Sequence, residues 1–266
     1  MPKIAICFFG ISRSLPLTMP SIAKNAIDPA RAIGDVAIYA HLFNQRVIDN
    51  PRTREKGEMD PEAHKLLNAD WLELEEPEHC LEQFDFAALT RYGYAHKYDE
   101  NTLRNLLHQL HSLRKVTEAA LADGPDAVVF CRPDLRYLDS LLRPLRRGLR
   151  RGGDVSILPS WENWGGRNDR FAICIGAKAA RAYGCRIEHL DAFSATRVVH
   201  SESLVPFALE KAGIDLRTMP HRAERVRFNG RTAVEEFRHS RVLHYKRTYG
   251  IDLYPLTWIR YLVMDR

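Results

Sequence analysis

Short apolar segments of strand length alternate with longer amphipathic segments along this chain of 266 residues. Such alternation is typical of strands connected by helices, and it favours an α/β domain with a largely parallel sheet. We therefore predict a single Rossmann-like α/β domain whose mostly parallel central sheet is flanked by helices. The predicted strands are Lys3–Phe9, Asp35–Phe43, Asp126–Cys131, Asp154–Leu158, Phe171–Ile175 and Arg225–Phe228.

Helices are predicted from periodicity and from residues that begin or end a helix. The apolar positions from Leu103 to Ala120 follow helical spacing, with Asn101 as the predicted N-cap and Gly124-Pro125 as the stop. Shorter helices are predicted over Pro20–Ile27, Ala177–Cys185 and from Ser201 to Ala212. Residues 45–65 are polar and carry two prolines and a glycine, so we expect an exposed, mobile loop of the kind that closes over a site.

Composition excludes several classes of protein. The net charge is +5 and 45% of the residues are apolar, which is ordinary for a globular protein and excludes disorder and collagen-like repeats. The five cysteines are scattered and never spaced as CxxC, so neither a zinc knuckle nor a disulfide framework fits, and a reducing cytoplasm is expected. No apolar run reaches the roughly 18–20 residues that span a bilayer.

The common nucleotide and hydrolase motifs are absent: GxGxxG after the first strand, GxxxxGK[ST], GxSxG and HExxH do not occur. Function must therefore be inferred from polar residues at strand ends, where open α/β sheets bind their ligands.

Three strand ends carry such residues. Gly10, Ser12 and Arg13 follow the first strand and could hold a pyrophosphate, or they could form a solvated surface turn. His41 near the end of the second strand could contact a base or ribose, although a strand histidine is more often structural. Arg132 and Asp134 follow a buried strand, where the carboxylate could ligate a cation that neutralises a diphosphate, or could form a surface salt bridge.

Later segments supply candidates for acceptor binding and catalysis. Trp164, Gly166, Asn168 and Asp169 combine an aromatic face with amide and carboxylate groups that suit sugar hydroxyls, whereas the alternative is an Asx turn before a strand. Glu202 could be a general base or could only complement a helix dipole.

Two basic segments are also notable. Five arginines between 143 and 151 would share one helix face, which is either solvated or directed at an anionic membrane or lipid-linked acceptor. The segment from His221 to Arg247 could help to hold a nucleotide diphosphate.

Taken in order, these segments resemble a group of bacterial and large-virus glycosyltransferases of capsule and lipopolysaccharide synthesis that is related to the GT-A fold. The matching segments are Ile4 to Gly10 with Arg13, Asp35 to Asn44 with His41, His111-Ser112-Leu113-Arg114-Lys115, Arg132-Pro133-Asp134-Leu135, Gly165 to Ala172, and Glu202 ahead of a helix.

The resemblance implies one GT-A-like glycosyltransferase domain over residues 1–266. Residues 1–140 would bind the nucleotide-sugar donor through Gly10, Ser12, Arg13, His41, Arg132 and Asp134, and residues 141–266 would bind a glycan or lipid-linked glycan through Trp164, Gly166 and Asn168. Glu202 and Asp169 would be catalytic. Asp134 would ligate Mn²⁺ or Mg²⁺ if one binds, but the chain has no Asp-x-Asp, so Arg132 or Arg136 could replace part of that charge. The enzyme would be cytoplasmic, with peripheral contact to the inner membrane face.

Two other functions are consistent with the residues. One is a noncatalytic polyanion- or nucleic-acid-binding module, suggested by the pI of about 9.0 and the arginine clusters. No aromatic-basic RNA motif is present, so no nucleic acid is expected. The other is a sugar-nucleotide-binding protein that has lost its chemistry.

Overall fold

The computed structural model describes residues 1–50, 55–95 and 98–238. Its main feature is a seven-stranded sheet, joined by two pairs of shorter strands. The strands are β1 (Lys3–Gly10), β2 (Asp35–Phe43), β3 (Val47–Asn50), β4 (Glu55–Glu58), β5 (Trp71–Glu75), β6 (Ala127–Cys131), β7 (Leu135–Tyr137), β8 (Val155–Pro159), β9 (Ala172–Ile175), β10 (Asp215–Met219) and β11 (Ala223–Arg225).

The main sheet has the order β10-β8-β9-β6-β1-β2-β5 and is parallel except for β9. β9 runs antiparallel to both β6 and β8, and Phe130 near the end of β6 pairs with Ala172 at the start of β9. Residues that precede β9 therefore lie at the same edge of the sheet as residues that follow β6. The predicted α/β class with a mostly parallel sheet is confirmed.

Helices cover both faces of this sheet. They are α1 (Leu15–Ile22), α2 (Asp28–Arg31), α3 (Phe86–Leu89), α4 (Glu100–Ala122), α5 (Leu142–Arg151), α6 (Ala177–Gly184), α7 (Leu190–Ser194) and α8 (Ser201–Lys211). A π-helical turn spans Ala23–Ile27, and 3-10 turns span Ala63–Leu67, His79–Gln83 and Arg186–His189.

Alternate residues of β1 belong to two different hydrophobic clusters. Ile6 packs with Leu15 of α1 and Leu145 of α5, whereas Cys7 packs with Leu113 of α4 and Val205 of α8. Because side chains alternate across a strand, this division places helices on opposite faces of the sheet.

The longest helix, α4, begins one residue before the predicted cap. The side chain of Asp99 accepts a hydrogen bond from the backbone N of Thr102 at 2.7 Å, so Asp99 is the N-cap and the prediction of Asn101 was wrong. An aspartate at this position satisfies one of the free N–H groups of the first turn.

The expectation of an exposed loop over residues 45–65 was wrong for the described part. β3 and β4 form an antiparallel hairpin in which Ile48, Glu55 and Met59 are buried. Residues 51–54, including the predicted loop residue Pro51, lie outside the described residues. The hairpin supplies the wall of the cleft described below.

Several other boundaries differ from prediction. The first helix begins at Leu15 rather than Pro20, because Pro16 occupies its first turn, where a proline is tolerated. The late strand covers Ala223–Arg225 and not Arg225–Phe228. The remaining predicted strands and helices are present within two residues of their predicted ends.

The arginine-rich segment forms α5 despite Pro144 and Gly148. Pro144 lies in the first turn, and a Cβ at Gly148 would lie 2.8 Å from Ile175, so the glycine allows close packing on the sheet. Arg146 and Arg150 are exposed on this helix. All five cysteines are free and buried, as expected for small apolar side chains. Within the described ranges, no helix is long and apolar enough to span a membrane.

Candidate functional site

A cleft of about 1120 Å³ lies at the edge where the parallel strands end. The chain leaves β1 for β2 on one side and later returns to β6 on the other, so β1 and β6 flank a topological switch point, where ligands bind in open α/β sheets. Lining residues come from the ends of both strands, from the β3 end of the hairpin and from the start of α4; they include Gly10, Arg13, Ile48, Asp99, His108, Gln109, Arg132, Asp134, Arg225 and Arg227.

Asp134 is held between two arginines in this cleft. Nε and Nη2 of Arg132 donate to its two carboxylate oxygens at 3.0 Å each, and Nη2 of Arg13 donates to Oδ2. Asp134 is only 3% exposed. Burial alone would raise its pKa, but the guanidinium groups of Arg132 and Arg13 outweigh burial and hold that pKa well below its usual range. The carboxylate is therefore fixed in its ionised form.

Glu55 approaches the same group from the hairpin. Its carboxylate lies 3.4 Å from Nη1 of Arg13 and 3.4 Å from Nη1 of Arg227, and it accepts the backbone N–H of Phe228 at 2.8 Å. Sequence reasoning missed Glu55, because its segment was taken for an exposed loop and nothing in the local pattern marks a buried glutamate.

The late basic segment contributes Arg225 and Arg227 to the cleft. Nε of Arg225 donates to Glu235 at 2.8 Å, which orients the guanidinium. Residues 239–247 of the predicted basic segment lie outside the described residues. With Arg13 and Arg132, four guanidinium groups line the cleft.

The donor atoms at Asp134 do not fit a divalent cation. Mg²⁺ and Mn²⁺ take oxygen ligands, but both oxygens of Asp134 already accept hydrogen bonds from guanidinium groups. A metal ion there would have to displace Arg13 or Arg132. The arrangement instead suits an anionic ligand held by arginine, which forms paired hydrogen bonds to phosphate.

Gln109 of α4 connects this group to Asp169. Its Oε1 lies 3.4 Å from Nη1 of Arg132, and its Nε2 donates to Oδ2 of Asp169 at 3.0 Å. Ser201 also donates to Oδ2 of Asp169, and Nη2 of Arg186 lies 3.5 Å from it. Burial would raise the pKa of Asp169, but Arg186 and these hydrogen bonds lower it. Sequence reasoning missed Gln109, which carries no signal beyond its place on α4.

Asn168 is buried and has structural partners at both ends of its amide. Nδ2 donates to the carbonyl of Trp161 at 2.8 Å, and Oδ1 accepts from the backbone N of Arg170 at 3.0 Å. The second contact is the Asx turn considered as the alternative. Trp161 is fully buried, whereas Trp164 is 65% exposed with a left-handed φ of 43°. Trp164 is therefore the tryptophan of this loop available to a ligand.

Glu202 lies where this loop meets α8. The carbonyl of Glu202 accepts from the backbone N of Arg167 at 2.7 Å, and a Cβ on Gly166 would lie 1.9 Å from that oxygen, so only glycine fits. Burial, followed by the charge of Asp169, raises the pKa of Glu202 to about 7. His200 Nε2 lies 3.3 Å from Glu202 Oε2, but that oxygen has no aligned hydrogen-bond donor among the described residues.

The structure brings the predicted donor-side residues to one edge but separates their roles. Gly10 and Arg13 line the cleft with Arg132 and Asp134, and Ser12 lies between them, half-buried. His41 is fully buried with partners at both ring nitrogens and does not line the cleft, so contact with a donor would require its ring to become exposed. Neither Asp169 nor Glu202 lines the cleft; Gln109, which does, contacts Asp169.

Comparison with protein-family models and with curated protein sequences gives no match. Among solved structures, a crystal structure of an active-site mutant of LgtC, a lipopolysaccharide glycosyltransferase, is similar with a TM-score of 0.45 and 10% sequence identity. That alignment covers 80% of this chain and 72% of the other.

Proposed function

We propose that this protein is a glycosyltransferase that moves a sugar from a nucleotide-diphosphate sugar to a glycan acceptor in capsule or lipopolysaccharide synthesis. The observation that carries the proposal is the pairing of Arg13 and Arg132 on Asp134 in a cleft at the switch point of a mostly parallel sheet. The ordered sequence segments that resemble glycosyltransferases support the same class.

The donor's diphosphate would bind against the arginines of the cleft. Asp134 and Glu55 hold the guanidinium groups in place, and Nε of Arg13 is buried without a hydrogen-bond partner among the described residues. A buried N–H left unsatisfied is costly, and an anionic oxygen would satisfy it. Because Asp134 does not fit a metal ion here, the arginines are assigned the charge compensation of the diphosphate.

Transfer breaks the bond between the anomeric carbon and the diphosphate oxygen, and a new bond forms to the acceptor oxygen. The electron pair of the broken bond stays on the diphosphate, where Arg13 and Arg132 stabilise the added negative charge. If the reaction inverts the anomeric centre, the acceptor hydroxyl loses its proton to Glu202. If it retains the configuration, Glu202 has no such role.

The properties of Glu202 support its assignment as the base. A general base works best with a pKa near the working pH, and burial places the pKa of Glu202 at about 7. Its Oε2 has no aligned donor among the described residues, so it can accept a proton. The electrostatic influence of Arg225, a cleft residue, on Glu202 links the two parts of the site.

The acceptor would bind beside the loop that carries Trp164. An exposed aromatic face suits the apolar side of a sugar ring, and Gly166 fixes this loop against Glu202. Asn168 would act by holding the loop through its Asx turn, and Asp169 by positioning Gln109. The exposed arginines of α5 suit an anionic membrane surface that presents a lipid-linked acceptor.

The test is a release assay with a panel of UDP-, GDP- and CDP-sugars, without added metal and in EDTA. Slow transfer to water or to added oligosaccharides should release one nucleoside diphosphate selectively. Arg13→Ala and Arg132→Ala should lower that release at fixed donor concentration, whereas Arg150→Ala on α5 should not. If no nucleotide sugar reacts or binds, the proposal fails, and binding of heparin or RNA by the wild type would favour the polyanion-binding function.

A further inference from the structure

A second cluster of polar side chains lies beneath the end of β1. It joins His41 of β2, Glu75 of β5 and His111 of α4. Oε2 of Glu75 lies 2.9 Å from Nε2 of His41 and 2.8 Å from Nε2 of His111, and the three potential ligand atoms all lie within 4.8 Å of one another. Both histidines are buried, whereas Glu75 is half-buried and leaves a route to solvent. Glycosyl transfer as proposed above makes no use of this cluster.

The hydrogen bonds around Ser112 determine which nitrogen of His41 carries the proton. The Ser112 hydroxyl donates to the carbonyl of His41 at 2.7 Å and accepts the backbone N–H of Gly10 at 2.8 Å. A serine hydroxyl has a single proton, so Nδ1 of His41, 3.0 Å from the same oxygen, must donate to it. Nε2 of a neutral His41 then presents its lone pair to the Glu75 carboxylate.

A lone pair facing a carboxylate oxygen at 2.9 Å is repulsive unless a positive charge lies between them. A proton shared with Glu75 would serve His41 alone. The ring of His111 also directs its Nε2 at the same oxygen, so three ligand atoms from three different elements converge on one point. This convergence exceeds what a single proton requires and is the arrangement of a metal site.

We propose that His41, Glu75 and His111 bind a transition-metal ion, with Zn²⁺ the best fit. Two imidazoles and one carboxylate suit Zn²⁺ and not Mg²⁺, which prefers oxygen ligands. The Nδ1–H of His41 held by Ser112 is the second-shell contact that ligating histidines make. The set supplies three protein ligands, as in open zinc sites.

Only small adjustments are needed to admit the ion. Ligand atoms of a tetrahedral Zn²⁺ lie about 3.3–3.5 Å apart for bonds of about 2.0–2.2 Å, so the two N···O separations would widen by about 0.5 Å. Gln83 now donates from Nε2 to Cys80 and lies 3.3 Å from Nδ1 of His111. Turning that amide over would let its oxygen accept from Nδ1 and free Nε2 of His111 for the metal.

The bound ion would tie β2, β5 and α4 together directly below the loop that begins at Gly10. Ser112 contacts both His41 and the backbone N of Gly10, so the metal site and the predicted phosphate-binding loop share one hydroxyl. The ion would therefore stabilise the loop and take no part in bond breaking.

The test uses tag-free full-length protein stripped of metal with chelator and then titrated with Co²⁺, followed by visible absorption, and with Zn²⁺, followed by calorimetry. We expect one equivalent of either ion, an absorption spectrum typical of tetrahedral cobalt, a higher melting temperature with Zn²⁺, and no competition from millimolar Mg²⁺. Glu75→Gln and His111→Gln should weaken uptake by at least about 100-fold, because loss of a ligand costs more than loss of a second-shell contact.

His64→Gln is the matched control, because His64 lies in the same half of the chain, outside the cluster, and binds only the carbonyl of Pro61. It should keep wild-type uptake. Glu75→Gln retains an acceptor for His111, so a melting temperature close to that of the metal-free wild type would show that it folds. Absence of stoichiometric uptake, or equal uptake by wild type and the cluster variants, would overturn the proposal and leave a proton-bridged structural triad.

Discussion

Arg13 and Asp134 form a hydrogen-bonded ion pair across 121 positions of the sequence. The arginine follows β1 and the aspartate follows β6, so the pair joins the two strand ends that flank the switch point of the sheet. Asp134 fixes the guanidinium so that its remaining N–H group faces no partner among the described residues. The pair therefore prepares a cationic site within the cleft.

Removing either arginine should weaken binding of the donor's nucleoside diphosphate. A hydrogen bond to a charged group contributes about 1.5–3 kcal/mol, so Arg13→Ala or Arg132→Ala should raise the Kd about 10- to 100-fold. Calorimetric titration measures this change, and Arg150→Ala on the exposed face of α5 is the control. Unchanged affinity in both cleft variants would mean that the diphosphate binds elsewhere.

Glu202→Gln should lower kcat for an inverting reaction by about 10²- to 10⁴-fold, the usual contribution of a general base. Donor affinity should change little, because the substitution keeps the shape of the side chain and Glu202 does not line the cleft. In the wild type, kcat should rise with pH through about 7 as the carboxyl loses its proton. A variant with wild-type kcat and the same pH profile would exclude Glu202 as the base.

The same residue should make stability depend on pH. The folded pKa of Glu202, about 7, is above its ordinary value of 4.5, so the native state binds the proton more tightly than the unfolded chain does. Its contribution to stability is present below pH 4.5 and is lost as the pH rises to about 7. Glu202→Gln should therefore gain stability relative to wild type across this range, on the order of 1–3 kcal/mol. Denaturant unfolding at pH 4.5 and pH 8 measures the difference, and an equal difference at both values would contradict the account.

Trp164→Ala should affect the acceptor and not the donor. The side chain is 65% exposed, so its loss should change the melting temperature little while raising the acceptor KM several-fold. Phe228→Ala offers a contrast, since its ring contacts Gly57 of the hairpin and its loss should disturb the cleft wall. An acceptor KM unchanged by Trp164→Ala would place the glycan on another surface.

The interior of the fold could be predicted from sequence, but its edges could not. β2 was predicted with its observed bounds because Asp35–Phe43 is nearly continuous in apolar residues. β5 and β10 were missed, and both are edge strands that carry charged side chains such as Glu73 and Arg217. Edge strands are commonly protected by charge, which removes the apolar run on which prediction depends.

The site shows a similar division. Arg13, Arg132 and Asp134 could be selected because polar residues after buried strands meet at one edge of a parallel sheet. Their pairing could not be predicted, because it depends on side-chain direction. Glu55 and Gln109 were missed because their contacts depend on the fold of a polar hairpin and on the rotation of α4, neither of which leaves a local pattern.

Calorimetric binding of UDP, GDP and CDP to the wild-type protein, with Mn²⁺ and with EDTA, tests the central claim most directly. The account predicts that one of these diphosphates binds selectively and that EDTA leaves its affinity within about threefold, since arginines and not a cation at Asp134 hold the phosphates. Binding that is lost in EDTA and restored by Mn²⁺ would contradict the arginine assignment. Absence of binding by all three nucleotides would contradict the glycosyltransferase function itself.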